Sequence, residues 1–103
     1  MGIETLQAEL KKYLTPSELN TVNAAYDFAK KAHGNQIRYS GEAYITHPVA
    51  VAGILAEMRM DTETIIAAIL HDVVEDTAIN QQDITQQFGQ EVADLVDGVT
   101  KLT

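Results

Sequence analysis

Apolar residues in this chain return every three or four positions and almost nowhere alternate with polar ones, which is the spacing of a helix face and not of a strand. The pattern predicts an all-α fold, a bundle of about five to six helices. Ile3, Leu6 and Leu10, with Tyr13 and Leu14 beyond them, predict a short opening helix. Thr15-Pro16-Ser17-Glu18 reads as a helix start, with Thr15 as cap, proline at the first position and Glu18 three residues after the cap. Leu19, Val22, Tyr26, Phe28, Ala29 and Ala32 carry that helix to about His33, and Gly34 stands where it should stop. Residues 34–46, GNQIRYSGEAYIT, have no period and predict a loop. Pro48 suits the first turn of a helix running to about Met58, and Asp61 is placed to cap a helix over 62 to about 75. Asn80 caps a short helix ending at Gly89, and Val92, Leu95 and Val96 form a last amphipathic piece before Gly98.

The totals limit what such a bundle can do. With 103 residues there is room for one domain, and 46% hydrophobic residues are enough to give it a core. No apolar run approaches the roughly 20 residues that span a bilayer, and the start has no basic stretch leading into an apolar one. Cysteine is absent, which removes disulfides and thiolate metal sites. Seven basic against fifteen acidic side chains give a net charge of −8, a surface that repels a nucleic-acid backbone. The expectation is a cytoplasmic protein without a membrane or nucleic-acid partner. A small phosphorylated ligand is compatible with that charge if a cation accompanies it. The ending at Val99-Thr100-Lys101-Leu102-Thr103 has no terminal cap and reads as a cut chain.

One helix carries an unusual concentration of ionisable groups. At 100° per residue, Ile66, Ile69, Leu70, Val73 and Val74 fall on one side of it, while His71, Asp72, Glu75 and Asp76 share an arc of about 140° on the other. If the helices on either side of Met60 and Asp61 pair antiparallel, His47 lies roughly 18 Å from the turn and His71 roughly 14 Å. The hairpin would then bring both imidazoles and the Asp72 carboxylate to one height, a donor set that suits a first-row divalent metal. Such a metal would bring water near to ionisation at neutral pH, with Glu75 and Asp76 one turn away to take the proton. A plain reading competes: a His-Asp pair on a helix is usually a surface pair, and His47 before Pro48 can be only a helix start. Against it, carboxylates near a helix C-terminus oppose the dipole. Geometry alone leaves the two readings open.

The segments RYSGEAYITHPVAVAGILAEM (38–58), AAILHDVVEDT (67–77) and FGQEVADLVDGVTKL (88–102) closely resemble the hydrolase domain of the RelA/SpoT family, whose bifunctional members make and degrade guanosine tetra- and pentaphosphate. Both the HD and the ED motif, degraded in synthesis-only members, are intact here. The resemblance implies an HD-domain helical bundle of which residues 1–103 are the N-terminal part, acting on a small guanine nucleotide. It implies His47, His71 and Asp72 as ligands of manganese. Glu75 and Asp76 then correspond to the pair that activates the water attacking the 3′-diphosphate, releasing pyrophosphate. Arg38 corresponds to the residue that packs on the guanine face, and Ser40 to a neighbour lining the same pocket. Tyr39 departs from the basic residue expected there, and His33 reads as structural. In the family a fourth metal ligand, an aspartate, comes from a later helix beyond Thr103; Asp94 and Asp97 do not correspond to it. The expectations are therefore a fragment that is inactive or nearly so and that self-associates through uncovered apolar surface. The alternatives are another HD phosphohydrolase acting on a different nucleotide, or a non-catalytic helical regulatory module.

Overall fold

Several helix starts in this protein are set by the side chains that flank them. The computed structural model describes residues 2–34, 36–37, 41 and 43–102, and these form six helices of two turns or more and one single turn. They are α1 (Ile3–Leu10), α2 (Pro16–His33), α3 (Thr46–Glu57), α4 (Thr62–Leu70), the single turn α5 (Val73–Asp76), α6 (Gln81–Phe88) and α7 (Gln90–Leu102). The capping box expected at α2 is present: Thr15 Oγ1 accepts the Glu18 N–H at 3.2 Å, and Glu18 Oε1 accepts the Thr15 N–H at 2.9 Å. Asn80 and Asp83 make the same reciprocal pair at α6. Gly34, at φ 56°, takes the backbone out of α2 where a side chain would be strained.

α4 is the axis of the molecule. All of it except Glu63 and Thr64 is buried, and α2, α3 and α7 pack around it. α1 lies on α3, α6 on α7, and α5 on α2. Ile65, Ile69 and Leu70 are fully buried, each contributing about 1.5–3 kcal/mol by leaving water. Ala52 and Ala56 of α3 and Ala67 and Ala68 of α4 are also buried; their small side chains let the two helices approach closely.

The turn between α3 and α4 is pinned from outside. Tyr13 Oη donates to the Met60 carbonyl at 2.7 Å, and Thr62 Oγ1 donates to Glu18 Oε2 at 2.9 Å. Asp61 Oδ1 accepts the Thr64 N–H at 3.0 Å, the expected cap. Arg59, in the left-handed region at φ 58°, ends α3, and its guanidinium lies 5.2 Å over the Tyr13 ring. These ties fix the height at which the far ends of the hairpin face each other.

Three boundaries differ from the sequence reading. α3 begins at Thr46, two residues before Pro48; proline is tolerated there because the first turn has N–H groups without helical partners in any case. The helix expected over 62 to about 75 breaks after Leu70 and resumes as α5, with His71 and Asp72 in the break. Gly98 does not end the last helix, since α7 continues through it to Leu102. Among the described residues, no helix is long and apolar enough to cross a membrane.

Candidate metal centre

α3 delivers His47 in its first turn, and the break after α4 delivers His71 and Asp72. One ligand atom from each of these three side chains lies within 4.8 Å of the others. The two imidazole rings meet edge to face, with centroids 5.8 Å apart at 64°. From His47 to the turn and back to His71 is on the order of 15 Å along either helix, which is why the hairpin levels them. Nitrogen and oxygen ligands about 2.0–2.2 Å from one ion stand about 3–4.2 Å from each other, so small side-chain rotations would close the set.

The His71 ring has a defined polarity. Its Nδ1 lies 2.6 Å from the Ala68 carbonyl oxygen, which can only accept, so the ring proton sits on Nδ1. The imidazole thus bonds to a carbonyl of the last turn of α4, where the helix gives way to the break. In the neutral ring Nε2 carries a lone pair, and it faces Asp72 Oδ1 at 3.2 Å. Two lone pairs in that position repel each other unless positive charge lies between them. Both side chains are largely shielded, 16% and 15% exposed, so water relieves little of the repulsion. A divalent cation satisfies the pair, and a main-chain acceptor behind a ligating imidazole is the usual arrangement that orients it. The donor set therefore fits a borderline first-row ion.

Glu75 and Asp76 stand one turn further on, in α5, and both are exposed. The Asp76 N–H donates to the Asp72 carbonyl at 2.9 Å, so this turn is built directly on the dyad. Neither carboxylate belongs to the group formed by His47, His71 and Asp72. Arg38 and Ser40, expected to hold the nucleotide, lie outside the described residues. The ends of their loop are fixed by an isolated antiparallel bridge between Ile37 and Ala43. His33 is buried and stacks on Tyr44, with centroids 5.3 Å apart and planes 19° apart. Sequence reasoning missed Gln36, whose side chain donates to the Asp76 carbonyl at 2.9 Å; at forty residues' separation no local pattern announces that bond.

A helical hairpin presenting two imidazoles and a carboxylate from successive helices defines a class. A family model described as HD domain matches residues 25–103, and the chain belongs to that family, in its RelA/SpoT group. The likeness read from the motifs is thus borne out. The chain is 54% identical over 99 residues to the bifunctional (p)ppGpp synthase/hydrolase SpoT of Escherichia coli K12, covering 96% of this chain and 14% of that protein. It is similar also to the guanosine-3′,5′-bis(diphosphate) 3′-pyrophosphohydrolases of Vibrio cholerae, 50% identical over 96% of this chain and 14% of theirs, and of Aquifex aeolicus, 49% identical over 99% and 15%. The chain spans about one-seventh of the length of these relatives.

Proposed function

We propose that this chain is the N-terminal part, residues 1–103, of an HD-type hydrolase domain that removes the 3′-diphosphate from guanosine tetra- or pentaphosphate as pyrophosphate. The observation that carries the reading is the convergence of His47, His71 and Asp72 within 4.8 Å, in a chain half identical to pyrophosphohydrolases. His47 and His71 would hold the ion through imidazole nitrogen and Asp72 through a carboxylate oxygen, with manganese as the proposed metal. When bound, such a cation supplies Lewis acidity and offsets the charge of the diphosphate.

The chain's own groups do the rest. Glu75 and Asp76 take the proton of the attacking water as its oxygen bonds to phosphorus. The bond from phosphorus to the 3′ oxygen breaks, that oxygen takes up a proton, and pyrophosphate leaves, so that GDP or GTP remains. Arg38 stacks on the guanine through its planar guanidinium, and Ser40 lines the same pocket. In this reading the substrate is a small guanine nucleotide of the cytoplasm.

By itself the chain is proposed to bind the metal weakly and to turn over little or no substrate, because three ligands leave half of an octahedral shell to groups from elsewhere. The test is release of pyrophosphate from guanosine tetraphosphate in millimolar manganese, by the 103-residue chain and by the longer gene product. Manganese-dependent release by the longer protein, and little by the short one, is the expected result. Equal turnover by both overturns the proposal for the short chain; no release by either removes the hydrolase reading.

A further inference from the structure

Three segments meet at Gln36, and a fourth joins through Tyr44. Its main-chain N–H donates to the His33 carbonyl at the end of α2 (3.1 Å), and its main-chain carbonyl accepts the Tyr44 N–H (3.2 Å). The Tyr44 carbonyl in turn accepts the N–H of His47, in the first turn of α3, at 3.2 Å. The Gln36 side chain runs the other way, its Nε2 donating to the Asp76 carbonyl of α5 at 2.9 Å. Because that carbonyl can only accept, the amide orientation is settled: Oε1 faces His33, whose Nδ1 lies 3.1 Å from it. His33 Nδ1 must then carry the proton and donate. The imidazole is only 3% exposed and is held flat against Tyr44, and among the described residues its Nε2 has no partner for which the bond to Gln36 could be exchanged.

The consequence is a relay with one direction of polarity from a buried ring to the turn that carries Glu75 and Asp76. We propose that Gln36, oriented by the buried His33, is a positioning residue that sets the Glu75–Asp76 turn against the His47–His71–Asp72 cluster; this rests on the hydrolase reading above. α5 is a single turn and cannot hold its own geometry, since isolated turns of helix are unstable. Its start is fixed on Asp72 and its end by Thr77, whose hydroxyl donates to the Val73 carbonyl at 2.6 Å. Gln36 adds a tie from outside the helix to its last residue. Through Tyr44 the same residue is linked to the main chain of His47, so one residue connects the start of the first ligand's helix to the proposed proton acceptors.

The experiment uses two substitutions. Gln36→Leu keeps the size and removes both side-chain bonds; Gln36→Glu keeps an acceptor for His33 and removes the donor to Asp76. In the 103-residue chain, hydrogen exchange of the Asp76 and Thr77 amides is expected to quicken about tenfold in both variants while the α4 amides are unchanged. In the longer gene product kcat is expected to fall about ten- to a hundredfold, with KM and the manganese concentration for half-maximal rate nearly unchanged. Unaltered exchange at 76 and 77 overturns the proposal, as does a kcat within about twofold of the parent. A fall in melting temperature that accounts for the lost activity, or a change confined to KM, also overturns it. Absence of turnover in the unsubstituted longer protein sinks the hydrolase reading instead, and the exchange measurement still decides whether Gln36 tethers the turn.

Discussion

Asp72 has two neighbours that want opposite things from it. Its main-chain carbonyl begins α5 by accepting from Asp76, while its carboxylate faces Nε2 of His71 at 3.2 Å. Asp72→Asn keeps the shape and removes the charge, so a cation loses its anionic ligand. If the parent chain holds manganese as proposed, the ion at about a hundred times its dissociation constant is expected to stabilise the folded state by about 2.7 kcal/mol and to raise the melting temperature. The substituted chain is expected to show little or no rise, with a melting temperature in chelator no lower than the parent's. Equal rises in both proteins would show that the ion binds somewhere else. The pairing of His71 with Asp72 was legible from adjacency, whereas the tautomer of His71 was not. It depends on the Ala68 carbonyl, and whether a ring turns back on its own helix is a matter of rotamer and packing.

Among the elements, α2 and α4 are held at their starts by carboxylates whose ionised form is the better partner. The Thr15 N–H, then the hydroxyls of Thr62 and Thr15, hold Glu18 below the usual carboxylate range; the Thr64 side chain and N–H do the same for Asp61. A depressed folded-state pKa means that the contribution is complete above the unfolded value and is lost as pH falls through and below it. The denaturation midpoint is therefore expected to drop as pH falls below about 4, and to drop less when Glu18→Gln and Asp61→Asn are combined. An identical acid profile for the double variant would place the sensitivity in other groups. α7 offers a test of opposite sign. A Cβ built at Gly98 meets nothing within 4 Å, and the position is helical and exposed. Gly98→Ala should add about 0.5–1 kcal/mol in a chemical melt, by reducing the freedom of the unfolded chain. A loss of stability there would mean that α7 is not continuous through residue 98. Gly98 misled the sequence reading because a glycine that ends a helix and one tolerated inside it look the same when only neighbours in sequence are considered.

At the scale of the whole molecule, apolar surface is left uncovered on α3 and α7. Ile54 and Met58 of α3 are 60% and 64% exposed, and Leu95 and Val99 of α7 are 39% and 37% exposed. Val51, Leu55, Ala67, Leu95, Val99 and His71 line a groove between α3, α4 and α7. Self-association of the 103-residue chain is the expected outcome, because exposed side chains of this size gain by leaving water. Sedimentation should show a concentration-dependent oligomer, and Ile54→Lys with Leu95→Lys should return it to a monomer. A monomer at all concentrations in the parent chain would argue against this.

The helical class, the caps at Thr15, Asp61 and Asn80, and the donors His47, His71 and Asp72 could all be read from the order of residues. The class, the caps and the His71–Asp72 pair rest on spacings of one to four positions, where the helix itself dictates which groups are neighbours; His47 was placed beside that pair only through the expected antiparallel hairpin. Tertiary structure alone decided the break at His71 and Asp72, the passage of α7 through Gly98 and the bond from Gln36 to Asp76. The bond from Gln36 depends on which carbonyl a segment forty residues away brings within 3 Å, a distance that no periodicity along the chain encodes, while at Gly98 and at the His71–Asp72 break the neighbouring residues allow either course.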